Sequence, residues 1–181
     1  SLLAPLANRA LGSKVMRRLN QVLSGIDARR PLPKFSFTTF DGWAKGRRSS
    51  PAKRKVAYFH GCYTNHNAPE VGRAVVRLLE HVGCEVLIPE QFCCGAIEAA
   101  TWQAKKNIQA LSPLAEQGVP ILVSSTSCCL ALTGEYVETL GLAESKTLSE
   151  NVFDVMDFLA SLQEKGDLPD PTHPVELEAW Y

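Results

Sequence analysis

The chain has 181 residues, 45% hydrophobic and 21% charged, which suits one packed core and excludes a disordered or fibrous chain. The net charge is zero, yet 13 of the 19 basic residues and only 2 of the 19 acidic ones precede position 56, so a basic arm leads an acidic body. No apolar run reaches the roughly 18 residues of a membrane helix, and an acidic body without a recognition motif argues against a nucleic-acid partner.

In chain order, Ser1-Leu2-Leu3-Ala4-Pro5 lacks the basic lead and long apolar stretch of a signal peptide, and lacks an initiator methionine. The reading is of a piece cut from something longer. Leu6, Ala10, Leu11, Val15, Leu19, Val22 and Leu23 recur at helical spacing, predicting one amphipathic helix over 6–25 with Arg9, Lys14, Arg17 and Arg18 on it. That helix would lie on anionic lipid or dock on a neighbouring domain. Residues 27–55, rich in proline, glycine, serine and basic residues, read as an extended connector. Phe35, Phe37, Phe40 and Trp43 are its apolar anchors.

From Val56 the pattern changes. Val56-Ala57-Tyr58-Phe59-His60 reads as a strand ending at Gly61-Cys62. A helix follows over 69–82, with Gly83 as its stop. Cys84-Glu85-Val86-Leu87-Ile88 is a second strand, running through Pro89 to Cys93-Cys94-Gly95. Residues 97–117 read as a helix broken near Pro113. Ile121-Leu122-Val123-Ser124 is a third strand, leading to Ser125-Thr126-Ser127-Cys128-Cys129. Helices to about Leu140 and over 150–165 complete the order. This alternation predicts an α/β fold: a small parallel sheet with right-handed β-α-β crossovers.

Ligands on such sheets bind beyond the carboxyl ends of the strands, and there all three cysteine groups fall. The pattern is Cys-x30-Cys-Cys-x33-Cys-Cys, with separations the length of a crossover. Zinc-finger knuckles need Cys-x2-4-Cys pairs, and a thiol–disulfide enzyme needs Cys-x-x-Cys; neither is present. Adjacent cysteines also pair poorly, because their Cα atoms sit about 3.8 Å apart, under the usual disulfide range of about 4.4–6.8 Å. Cys62, Cys93, Cys94 and Cys128 are therefore candidate ligands of a metal or iron–sulfur centre. Cys129 is a further candidate, although neighbouring residues need not face the same way. Cys84, inside an apolar strand start, reads as buried packing. His60 and His66 flank the first cysteine, with ligation or proton transfer weighed against ordinary surface roles. Ser124 to Ser127 either cap the next helix or donate to sulfur. No glycine-rich dinucleotide fingerprint occurs, so substrate chemistry is expected on a partner.

Phe59-His60-Gly61-Cys62, Cys93-Cys94-Gly95 and Ser124-Ser125-Thr126-Ser127-Cys128 resemble the cysteine-rich CCG-domain family. It occurs in heterodisulfide reductase and in iron–sulfur subunits of glycolate, lactate and anaerobic glycerol-3-phosphate oxidation. The stretch Tyr58 to Asn65 is most similar to the glycerol-3-phosphate dehydrogenase type, and the likeness extends over about 1–181. It implies a basic helix and connector at 1–55, a first CCG domain at 56–170, and the start of a truncated second repeat at 171–181. It implies an iron–sulfur cluster, [4Fe-4S] or its non-cubane variant, or zinc, held by Cys62, Cys93, Cys94 and Cys128. The family pattern ends Cys-x2-Cys, whereas here Ala131 stands three residues after Cys128 and the extra thiol is Cys129. A four-ligand cubane, or a site completed by Cys129, fits that departure. The implied role is non-catalytic electron transfer from a flavin-containing dehydrogenase subunit toward a membrane quinone. The implied location is cytoplasmic, peripheral on the inner face of the cell membrane, with a ferredoxin-like domain and a second CCG domain elsewhere in the same protein.

Overall fold

A computed structural model describes residues 3–95 and 101–169. The centre is a four-stranded sheet in the order β2-β1-β3-β4. The strands are β1 (Arg54–Phe59), β2 (Cys84–Leu87), β3 (Ile121–Val123) and β4 (Val152–Asp154), and every pairing is parallel. Val56 to Phe59 and all of β3 are buried, as expected for strands covered on both faces.

Helices cover each face. On one side Phe40, Val76, Leu79, Val155, Leu159 and Leu162 pack against Val56, Tyr58 and Leu122. They come from α3 (Phe40–Ala44), α5 (Pro69–His81) and α10 (Val155–Glu164). On the other side α6 (Thr101–Glu116), α7 (Thr126–Leu130), α8 (Tyr136–Glu138) and α9 (Lys146–Ser149) close over Ala57, Phe59, Ile121 and Val123. The α/β class with β-α-β crossovers and cysteines beyond the strand ends is as the sequence predicts.

Several local expectations are corrected. The helix predicted over 6–25 is two, α1 (Ala4–Gly12) and α2 (Lys14–Ser24). Ser13 separates them in extended conformation, its side chain accepting from Met16 N, and this capping bond starts a new helix. The connector contains α3, and a short α4 (Gly61–His66) follows β1 directly. Helix α6 runs through Pro113 unbroken. Gln109, whose carbonyl loses its partner there, is exposed, so the loss falls on the solvent side. The helix expected over 150–165 begins instead as strand β4, and Asp154 caps α10 by accepting from Met156 N at 2.7 Å. The reading of 171–181 lies outside the described residues.

The connector is bound to the body. Phe40 is fully buried, edge-on to Tyr58 with centroids 5.7 Å apart and tilted against His60 at 4.6 Å. Phe35 and Phe37 stay exposed, so of the expected anchors Phe40 is the deep one. Ser49 Oγ accepts from Val86 N at 3.0 Å and donates to Glu80 Oε1 at 3.1 Å. Strand β2 is a sheet edge, and this contact occupies one of its unpaired donors.

Gly72 on α5 makes room for the anchor. A Cβ there would stand 2.6 Å from the Phe40 ring and 2.7 Å from the Thr64 methyl. Gly72→Ala is expected to lower stability by about 1–3 kcal/mol through overpacking. Urea unfolding of the variant beside the parent chain checks this, and an unchanged midpoint would contradict the packing described.

Candidate metal centre

β1, β2 and β3 run the same way, so their carboxyl ends share one edge. Cys62 is the second residue of α4, one step beyond Gly61. Gly61 has φ +70°, and a Cβ on it would lie 2.9 Å from Cys128 Sγ. The third loop's sulfur thus sits over the backbone of the first loop, and only glycine permits both that approach and that φ. Cys93 Sγ lies 3.4 Å from Cys62 Sγ. Cys94 and Cys128 are each 5% exposed and hydrogen-bond to one another. Four thiols from three chain segments therefore form two adjoining pairs, one at the surface and one buried.

Their acidities reflect this crowding. Burial first, then Cys93, pushes the Cys62 thiol up to about 11. Cys128 is held below the ordinary thiol value, chiefly by its hydrogen bond with Cys94 and also by one from Ser125, against burial. The Ser125 contact favours sulfur donation for this serine, and its side chain makes no capping bond to α7. Negative charge on Cys93 and Cys94 further raises Cys62. Thiolates placed this closely oppose one another unless a cation lies among them. The all-sulfur donor set and the mutual repulsion fit an iron–sulfur or zinc centre. Among the described residues no three donors close around a single point as the ligands of one ion would. A cluster of several irons, with a thiolate on each, spreads its ligands more widely.

Cys129 stands apart. It is half-buried, and its thiol is raised by burial and then by Asp154 and Asp157, with no contribution from the other cysteines. Successive residues on a helix point about 100° apart, so α7 turns Cys128 to the site and Cys129 toward β4 and α10. Cys84 is buried at the opposite, amino end of β2, paired with Arg54 in register.

His60 is 3% exposed, with Nδ1 2.9 Å from Gly61 O and Nε2 2.9 Å from Asp41 Oδ1. Nε2 has no aligned hydrogen-bond partner, so the Asp41 contact is a close approach at a poor angle. Both ring nitrogens face acceptors, which the imidazolium would suit, but burial outweighs them and lowers the pKa. Asn65 is buried, and its side chain holds Asp41 by accepting from Asp41 N at 3.0 Å and donating to the carboxylate. His66 is exposed.

Three supporting residues went unremarked in the sequence. Gln91 Oε1 accepts from His60 N at 2.8 Å and Gly61 N at 3.3 Å, while Nε2 donates to Tyr58 O at 3.2 Å. It ties the second cysteine loop to the first. Asn107 Oδ1 accepts from Phe92 N at 2.8 Å. Tyr136 OH donates to Cys94 O at 3.0 Å, and burial keeps this phenol protonated by pushing its pKa up to about 12. Lone amides and phenols carry no spacing signal; only their burial reveals them.

A doubly covered parallel sheet that gathers thiols from three successive strand ends defines a cysteine-rich α/β domain. Residues 56–133 match the family model described as CCG, cysteine-rich domain, and the chain belongs to that family. It is 34% identical to a subunit of the anaerobic glycerol-3-phosphate dehydrogenase of Escherichia coli (strain K12), over 98% of this chain and 47% of that one. It is 33% identical to a probable glycolate oxidase iron-sulfur subunit of Bacillus subtilis (strain 168), over 48% of this chain and 20% of that one. It is 31% identical to lactate utilization protein A of Halalkalibacterium halodurans, over 68% and 58% respectively. The chain spans about half the length of the first of these relatives, and 20% and 58% of the other two. No solved structure matches.

Gly61→Ala tests the convergence. It adds left-handed strain of about 1–2 kcal/mol and drives a methyl into Cys128 Sγ. Stability is expected to fall by at least that much and metal uptake with it, measured by unfolding and by metal content. Full metal content in the variant would contradict the close approach.

Proposed function

We propose that this chain is part of an iron–sulfur electron-transfer subunit of a respiratory dehydrogenase of the glycerol-3-phosphate type. Cys62, Cys93, Cys94 and Cys128 would hold a [4Fe-4S] cluster. The convergence of these four thiols on one sheet edge is the observation that carries the reading. Cys129 is left out of the ligand set because its thiol is influenced by Asp154 and Asp157 and by none of the other cysteines. A bound cluster would supply one-electron redox chemistry at a potential set by ligands, hydrogen bonds and burial.

The chain's own residues then have defined tasks. Gly61 lets Cys128 close over the first loop. Ser125 donates to the Cys128 sulfur, and hydrogen bonds to sulfur tune potential. Cys62, the exposed ligand, marks the side from which electrons enter or leave. Substrate oxidation belongs to a flavin-containing partner subunit and the final acceptor is a membrane quinone. Similarity to the Escherichia coli dehydrogenase subunit supports these assignments over the glycolate or lactate type, because there the likeness covers nearly the whole chain.

Anaerobic purification followed by iron, sulfide and zinc analysis and EPR on one sample tests the site. About four iron and four sulfide per chain with a redox-dependent signal is expected, and Cys94→Ser is expected to abolish or alter that signal. Zinc near one with negligible sulfide would replace the reading with a structural zinc module. An unchanged spectrum in Cys94→Ser would remove this cysteine from the site.

Peripheral membrane association on the cytoplasmic face belongs to the same proposal. Among the described residues no helix is long and apolar enough to cross a bilayer. Helix α2 has no buried residue, and Val15, Leu19, Val22 and Leu23 are all exposed beside Lys14, Arg17 and Arg18. Such a face suits an anionic lipid surface. Sedimentation with vesicles containing anionic lipid is expected, weakening about fivefold for each basic residue removed and strongly with Leu19→Glu. Equal sedimentation of Leu19→Glu and the parent would overturn the membrane role of α2.

A further inference from the structure

The helix that carries Cys128 does not continue as an ordinary α-helix. After α7 comes a π-helical turn, Ala131–Glu135, and then α8 begins at Tyr136. Thr133 Oγ1 donates to Cys129 O at 2.8 Å, supplying a partner to a carbonyl where the backbone pattern changes. Eight residues separate Cys128 from Tyr136. In a regular α-helix that spacing leaves the two about 80° apart around the axis. A π turn takes one more residue per turn and brings Tyr136 back to the face of Cys128. Leu132, between them, is fully buried, and Tyr136 is 1% exposed.

On that face the phenol meets the second cysteine loop. Tyr136 OH donates to Cys94 O at 3.0 Å and accepts from Asn107 Nδ2 at 3.1 Å. Asn107 is fully buried. Its Nδ2 also reaches Phe92 O at 3.2 Å and Cys93 O at 3.3 Å, and its Oδ1 takes Phe92 N. Two amide hydrogens serve three acceptors, so one bond is shared. The backbone of Phe92, Cys93 and Cys94 belongs to no helix or strand, and these side chains satisfy polar groups that a sheet or helix would otherwise pair.

We infer that Tyr136, turned inward by the π-helical segment and braced by Asn107, is a positioning residue that fixes the Cys93-Cys94 loop against the Cys128 helix and so sets the geometry between the second and third cysteine groups. Its consequence for a bound cluster rests on the iron–sulfur reading above; the positioning of the thiols does not. A phenylalanine would fill the same space, but it would remove the hydrogen bond to the Cys94 carbonyl and the acceptor through which Asn107 braces this residue.

Tyr136→Phe is the test, because it removes one oxygen and keeps the ring. In metal-free protein, alkylation by iodoacetamide is followed by mass spectrometry at Cys94, with the buried Cys84 as internal reference. Loss of one buried hydrogen bond predicts about five- to tenfold faster alkylation at Cys94, with Cys84 unchanged. In anaerobically reconstituted protein the same variant is expected to shift the EPR g-values and midpoint potential. Equal rates at Cys94 in variant and parent would overturn the inference. So would acceleration at Cys94 and Cys84 together, which marks general loosening. If the parent protein takes up no iron, the iron–sulfur reading fails while the alkylation ratio still decides the positioning role.

Discussion

The parallel pairing of β1 with both of its neighbours is the constraint on which the rest depends. Ala57 lies opposite Leu87 on one side and Phe59 opposite Val123 on the other. These registers bring three chain exits to one edge. A slip of one residue would turn each buried side chain to the other face, and with both faces packed neither core could accommodate it. The cysteine loops inherit their convergence from that register, so the site is as firmly determined as the sheet.

The fold thereby holds together groups that repel one another when ionised. Four thiols meet where burial and neighbouring sulfur charge both disfavour thiolate at Cys62, while Cys94 and Ser125 favour it at Cys128. The loops around them have little regular structure, and side-chain amides take over the pairing of their backbone. Gln91 joins the first loop to the second, Asn107 holds the second, and Asn65 secures the connector through Asp41. Each is an uncharged group able to donate and accept at once, which a loop needs where carbonyls and amides alternate.

The architecture was legible where hydrophobic pattern and punctuation agreed. β1, β2 and α5 follow from apolar runs closed by glycine or proline, β3 from one opened by Pro120, and crossover-length spacing of the cysteines implied their convergence. β4 was not legible: it has three residues, lies at the sheet edge and exposes Phe153, so no alternation develops. Ser13 split a helix that periodicity alone makes continuous. The difference between Cys128 and Cys129 depends on which way α7 is rotated, and two adjacent letters do not encode that. Tyr136 escaped for a related reason. Helical spacing arguments assume 3.6 residues per turn, and the π turn breaks the assumption where it matters.

Phe40 and Ser49 both precede the first residue of the family match, and β4 and α10 both follow its last. The borders of the family match are therefore not the borders of the packed unit. Residues 56–133 alone would lack the plug over Tyr58, the cover on the β2 edge, a whole strand and its helix. The family match covers the segment that builds the thiol edge, whereas the packing that holds that edge extends into the lead-in and the final helix. Excising the domain at its family limits would recover the signature of the centre without the body that keeps its three loops in place.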